Sequence, residues 1–140
     1  MNTEYTLSII KPDAVRDKKA GDIISFLENK EFKIVAKKKI ILHKKQAEEF
    51  YNIHKERPFF RELINFITSG PVIVQVLEKE NAISYYREVM GNTNPEKAED
   101  NSIRKLFGAN IQCNAVHGSD SKENAKREIS FFFSELEIIR

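Results

Sequence analysis

The sequence predicts an α+β domain in which helices pack on a ferredoxin-like antiparallel β-sheet, ordered β-α-β-helices-β-α-β-α. Three observations carry that prediction. Strand-like and helix-like apolar patterns alternate along the chain. No internal repeat or low-complexity linker divides it. Its 140 residues suit one domain, 1–140, able to bury roughly 68–70% of its unfolded surface without staples.

Each element has its own warrant. Tyr5, Leu7 and Ile9 alternate with Thr6 and Ser8, a strand that Pro12 stops, so Lys11 stands where it runs out. A loop from Asp13 to Ala20 leads into a helix whose apolar face is Ile23, Ile24 and Leu27. Phe32, Ile34, Ala36, Ile40 and Leu42 keep one parity through a second strand, which Lys37-Lys38-Lys39 marks as solvated or at an edge. Gln46 to Ser69 reads as two helices meeting at Pro58, with Phe60, Leu63, Ile64 and Ile67 at helical spacing. Gly70-Pro71 ends them, and Val72 to Leu77 is a continuous apolar strand of the buried kind. Ala82 to Met90 forms a helix closed by Gly91. Asn92 to Gln112 is a long loop with a short turn of helix near Ser102 to Phe107. Cys113 to Val116 supplies the last strand and Ser121 to Phe133 the last helix, opened by Asp120 and Glu123 in a capping-box relation.

Composition excludes several classes. The 23 basic and 21 acidic residues leave a net charge of +2, too balanced for a nucleic-acid groove or an acidic tail. A single cysteine, Cys113, permits no internal disulfide and fits a reducing compartment. Met1 to Thr6 has no signal-peptide pattern, and no stretch approaches 18 apolar residues, so the expectation is a cytoplasmic domain without a membrane span.

The chemistry centres on Asn114-Ala115-Val116-His117-Gly118-Ser119-Asp120-Ser121, which delivers an imidazole to a strand end beside glycine and ahead of a helix N-terminus, where an anion is welcome. On that helix Glu128 shares the packing side of Ala125 and Phe132. A carboxylate there needs a partner. One reading has it orient His117, freeing the other ring nitrogen as a nucleophile; the other has it pair with Lys126 or Arg127 at the solvent edge. Lys11, Arg87, Thr93 and Arg104 could together bind phosphate through side chains, since no Walker-type loop is present, or be ordinary surface residues. His54 could face a phosphate or solvent, and Phe59 could be core or an exposed shelf for a base. His43, His54 and His117 have no metal-ligand spacing.

The histidine block resembles the active-site signature of nucleoside diphosphate kinases. Ser8-Ile-Ile-Lys11-Pro-Asp13, Arg57-Pro-Phe-Phe60, Ser69-Gly-Pro-Val72, Gly91-Asn-Thr93-Asn94-Pro95 and Ser102-Ile-Arg104 resemble further blocks of that family, in order and over nearly the whole chain. The resemblance implies a γ-phosphoryl shuttle from nucleoside triphosphates, usually ATP, to diphosphates through a phosphohistidine. By it His117 matches the nucleophile, Glu128 the carboxylate that orients it, Ser119 the hydroxyl bound to that carboxylate, and Tyr51 a tyrosine beside the histidine. Arg87, Thr93 and Arg104 match phosphate-binding residues, with His54 a less constant neighbour. Lys11 and Asn114 match residues that meet the sugar hydroxyls, Lys11 also lying near the transferred phosphate. Phe59 matches the stacking aromatic, and Ile111 stands in place of the usual valine opposite it. Magnesium is implied as a cofactor held mainly by the nucleotide phosphates.

Some positions depart from the family pattern. Glu99-Asp100-Asn101 lacks a proline-glycine pair, and Leu106 replaces a common acidic residue. The chain reaches Arg140 soon after the last helix, in bacterial style, which implies dimers assembled into a homotetramer or a homohexamer. A nucleic-acid-binding module is the rival from another class, but the paired aromatic strand motifs are missing. A silent regulatory homologue is the other, against which stand His117, Glu128, Arg87 and Arg104 together.

Overall fold

Alternation along the first strand sets the architecture. In the computed structural model, which describes residues 3–139, β1 (Thr3–Ile10) buries Leu7 and Ile9 on one face and Thr6, Ser8 and Ile10 on the other. It is central in a four-stranded sheet of order β2-β3-β1-β4, every pairing antiparallel. Met1, Asn2 and Arg140, on which the reading of the chain's ends partly rests, lie outside the described residues. No helix among those residues is long and apolar enough to cross a membrane.

After β1 the chain departs from the sequence reading. The expected loop from Asp13 contains a short helix, α1 (Pro12–Arg16), because proline suits a first helical turn as well as a strand end. Then α2 (Ala20–Asn29) leads to β2 (Lys33–Ile40), an edge strand as the lysine triplet suggested. The single parity expected there fails. A bulge between Ile34 and Ala36 inserts Val35, which is buried, and shifts the register against β3. Lys38 is not simply solvated: its Nζ donates to the Phe132 carbonyl at 2.6 Å and pairs with Glu137 at 3.0 Å.

The paired helices are α3 (Lys44–Phe50) and α4 (Phe60–Ile67), with a 3₁₀ turn at Asn52–His54 between them, so Pro58 lies in the turn before α4. β3 (Val72–Glu80) is followed by α5 (Ala82–Met90), which Gly91 ends at φ +86°. The long loop holds a 3₁₀ turn at Pro95–Lys97 and α6 (Ile103–Phe107), capped by Ser102. β4 is Val116–Gly118, beginning three residues and ending two residues later than the expected Cys113–Val116, and α7 spans Lys122–Phe132. Ser121, not Asp120, caps α7 by accepting from the Asn124 amide.

Two apolar layers sandwich the sheet. Leu7, Ile9, Val74 and Val76 pack with Phe50, Ile64 and Phe132 on one side. Ile10 and Leu77 pack with Leu27, Tyr86 and Met90 on the other. The register places His117 opposite Ile9, at the sheet edge where α7 begins.

Candidate active site

β4 pairs with β1 over only three residues, and its middle side chain, His117, is partly exposed. His117 lies at the wall of a cavity of about 440 Å³ also lined by Tyr51, His54, Arg87, Thr93, Arg104, Asp120 and Glu128. Glycine is needed next to it. A Cβ on Gly118 would fall 2.8 Å from the Tyr86 ring, which is fully buried behind the strand.

The two readings of Glu128 resolve in favour of the imidazole. Glu128 is buried, its Oε1 accepting from Ser119 Oγ at 2.7 Å and lying 3.1 Å from His117 Nε2. A carboxylate can only accept, so Nε2 carries the proton and Nδ1 presents its lone pair. Ser119 is itself pinned, its Oγ accepting from the Leu7 amide at 3.3 Å. The Phe50 and Tyr51 rings meet the imidazole edgewise, at 5.8 and 6.3 Å between centroids. Burial, reinforced by the Glu128 charge, pushes the Tyr51 phenol well above its ordinary pKa, so it packs as a neutral ring.

Cations gather on the facing wall. Arg104 donates from Nη1 to the Gly91 carbonyl at 3.1 Å and from Nη2 to the Val116 carbonyl at 2.9 Å. These bonds use two of its five donors and hold the guanidinium beside the strand that carries His117. Burial lowers its pKa, with Arg87 adding to the effect and Tyr86 opposing it. Arg87 projects into the cavity from the last turn of α5.

Lys11 and Asn114 form a side branch instead of lining the cavity. Lys11 Nζ donates to Asn114 Oδ1 at 2.9 Å, and Asn114 Nδ2 donates to the Thr93 carbonyl at 3.1 Å. Phe59 is 47% exposed, its ring 5.9 Å from that of His54, so it is a shelf and not core. Ile111 is 59% exposed at the tip of a turn held by Asn110, away from this cavity.

Sequence reasoning missed other lining residues. Asp120 and Asn124 bond across the first turn of α7 at 2.6 Å. Arg127 donates to the Phe50 carbonyl at 3.2 Å and lies 4.0 Å from Glu128 Oε2. The i, i+4 spacing of Asp120 and Asn124 is a usable signal; Arg127, expected only as an alternative partner of Glu128 at the solvent edge, lies near that carboxylate while the imidazole and Ser119 hold it. A larger depression of about 540 Å³ lies against α7 and the start of β1, but contains neither histidine nor arginine.

Burial, with Arg104 nearby, lowers the Lys11 pKa from 10.5 to about 8, against the opposing pull of Asp13. Because the folded value lies below the unfolded one, Lys11 contributes stability that grows as pH rises from about 8 towards 10.5. For a nucleotide held by Lys11, as the family resemblance implies, the sign is opposite. The diphosphate KM is expected to rise about tenfold as Lys11 loses its proton above pH 8, the loss of one charge-assisted hydrogen bond. Steady-state titration would show it, and Lys11→Arg should flatten the profile.

An antiparallel sheet presenting a carboxylate-held imidazole to a cavity that arginines also line has the chemistry expected of a phosphate-handling enzyme. Comparison supplies the family. The family model described as nucleoside diphosphate kinase matches residues 4–138, and the chain belongs to the nucleoside diphosphate kinase family. A nucleoside diphosphate kinase of Persephonella marina is 57% identical over 139 residues, 99% of each chain. One of Phenylobacterium zucineum is 57% identical over 137 residues, 98% of this chain and 99% of that one. The crystal structure of the Aquifex aeolicus nucleoside diphosphate kinase superposes with a TM-score of 0.96 at 46% identity, covering 98% of this chain and 99% of that one. The Halobacterium salinarum nucleoside diphosphate kinase, in complex with CDP, gives 0.94 at 37%, covering 99% and 93%. The chain is accordingly a phosphotransferase that exchanges the γ-phosphoryl group between nucleoside tri- and diphosphates in a ping-pong cycle.

Proposed function

We propose that His117 Nδ1 carries the phosphoryl group between nucleotides, with the other site residues positioning and neutralising it. The observation behind this is the Ser119–Glu128–His117 hydrogen-bond chain, which fixes the tautomer in a cavity shared with Arg87 and Arg104. In the first half-reaction the Nδ1 lone pair attacks the γ-phosphorus as the bond to the β-phosphate oxygen breaks, and the diphosphate leaves. In the second half, the terminal oxygen of another diphosphate reverses the step. Glu128 stabilises the charge that appears on the ring, and the arginines stabilise charge on the transferred oxygens.

Lys11 and Asn114 meet the sugar hydroxyls, and Thr93 and His54 meet phosphate. Phe59 supplies a face for the base, with Ile111 on its other side. The CDP bound by the halobacterial relative belongs to the substrate class proposed here. Stacking with few base-edge bonds makes the site tolerant of every common base. Phe59→Ala is expected to weaken nucleotide binding by about 1–3 kcal/mol whatever the base. Calorimetry with a purine and a pyrimidine diphosphate checks it, and strong base dependence in the wild type would sink it.

Magnesium fits as an ion carried on the nucleotide. Among the described residues no cluster of three His, Cys, Asp or Glu side chains could cage a cation. Of the two carboxylates at the cavity, Glu128 is engaged by Ser119 and His117, leaving Asp120 as the nearest acidic neighbour. A magnesium ion would supply charge neutralisation on the phosphates while keeping several waters. The domain is proposed to act in the cytoplasm as a homotetramer or homohexamer built from dimers, and light scattering after size exclusion would distinguish these.

The deciding experiment incubates the protein with γ-labelled ATP and magnesium, maps the label, and chases it with dTDP. Acid-labile label on His117 Nδ1 that moves to dTDP is the expected result. Label on Nε2, or none on folded protein, would overturn the assignment.

A further inference from the structure

Two residues before the nucleophile the backbone is strained. Ala115 is fully buried and has φ +74°, a region an L-residue enters only at a cost and where glycine would be the easy choice. The Val116 amide donates back to the Asn114 carbonyl at 2.9 Å, so Ala115 is the central residue of a positive-φ γ-turn, a rare and strained form. Such a turn persists only when its surroundings hold it. Here the holding groups come from one short segment at the end of β1. The Lys11 amide donates to the Ala115 carbonyl at 2.8 Å, and the Ala115 amide donates to Asp13 Oδ2 at 3.2 Å.

Asp13 is an unexpected residue to find there. It is 4% exposed, and its Oδ1 is buried with no hydrogen-bond partner among the described residues. A half-satisfied buried carboxylate is costly, so its presence calls for a compensating role.

The turn has a clear geometrical effect. Asn114 and His117 are three residues apart, and in a continuous strand their side chains would point to opposite faces. The bend at Ala115 lets Asn114 meet Lys11 Nζ and the Thr93 carbonyl while His117 faces the cavity that Thr93 also lines. It also begins β4, so it sets where His117 starts its pairing with Ile9.

We propose that Asp13 is a positioning residue for phosphoryl transfer: its buried carboxylate clamps the Ala115 turn, which in turn fixes His117 relative to the Lys11–Asn114 arm. This rests on His117 being the nucleophile. A group displaced by about an ångström can slow a positioned reaction by up to roughly 10²-fold. In this role Asp13 acts through the backbone and touches no reacting atom; its pull on the Lys11 ammonium is a separate effect that Ala115→Gly would not restore.

The test measures the rate of His117 phosphorylation by rapid quench at saturating magnesium-ATP. Asp13→Ala should slow it by roughly 10- to 100-fold. Adding Ala115→Gly, which removes the conformational penalty of the turn, should recover much of that loss. Recovery at position 115 distinguishes a clamp on the turn from general packing of α1, which glycine there would not restore. Should Asp13→Ala fail to fold, Asp13→Asn carries the same test. Its neutral amide is a weaker acceptor, so it should be slowed by a few-fold and be rescued by Ala115→Gly. Wild-type rates in the Asp13 variants, or slowed variants that Ala115→Gly does not speed, would overturn the role of Asp13 alone. Label away from His117 in the wild type would overturn both readings.

Discussion

Replacing His117 by alanine is expected to lower kcat by on the order of 10⁴-fold or more while leaving nucleotide affinity within about threefold. The asymmetry follows from the geometry. The imidazole presents an oriented lone pair on Nδ1, because Glu128 takes the proton-bearing nitrogen. In the proposed assignment phosphate and base are met elsewhere, by the arginines and by Phe59 beside His54. The fold should tolerate the change. The His117 side chain is 22% exposed, and Glu128 keeps its bond from Ser119. Single-turnover labelling and a diphosphate titration on the same preparation check both halves. Residual turnover within tenfold of wild type would place the nucleophile elsewhere.

Replacing Arg104 by methionine comes second, with an expected loss of about 10³-fold in the labelling step, the lower end of what a guanidinium on a transferring phosphoryl group supplies. Methionine preserves bulk but removes both the charge and the fork. Two carbonyls, of Gly91 and Val116, would lose their donors, so a loss of about 1–3 kcal/mol in stability should accompany the kinetic effect. Arg104→Lys separates the two. It restores charge without the planar fork and should recover only part of the rate. Full recovery by lysine would mean that Arg104 acts as a point charge alone.

The site was legible in the sequence where it depends on helical spacing. Counting from Ala125 and Phe132 places Glu128 on the packing side of α7, but spacing leaves a solvent-edge position open, and it is the fold that buries it. The imidazole's position was one step off, because the apolar run from Cys113 to Val116 has strand composition but contains the turn at Ala115. A glycine at 115 would have announced that turn; an alanine conceals it, and with it the purpose of Asp13. The β2 bulge was hidden for a related reason. Val35 is apolar like its neighbours, so an inserted residue leaves no mark on composition and only the parity fails. Arg104 was identifiable as a basic residue at an element end, but its aim depends on two carbonyls distant in the chain.

One of those carbonyls belongs to Gly91, the left-handed residue that stops α5. A Cβ there would lie 2.5 Å from Ser102 Oγ, the cap of α6, which is the helix that bears Arg104. A single atom added at a helix end would thus disturb a stop signal, a start signal and the aim of a guanidinium at once. Any side chain at position 91 meets the Ser102 cap with its first carbon, so a change there has to be answered in α6 as well as in α5.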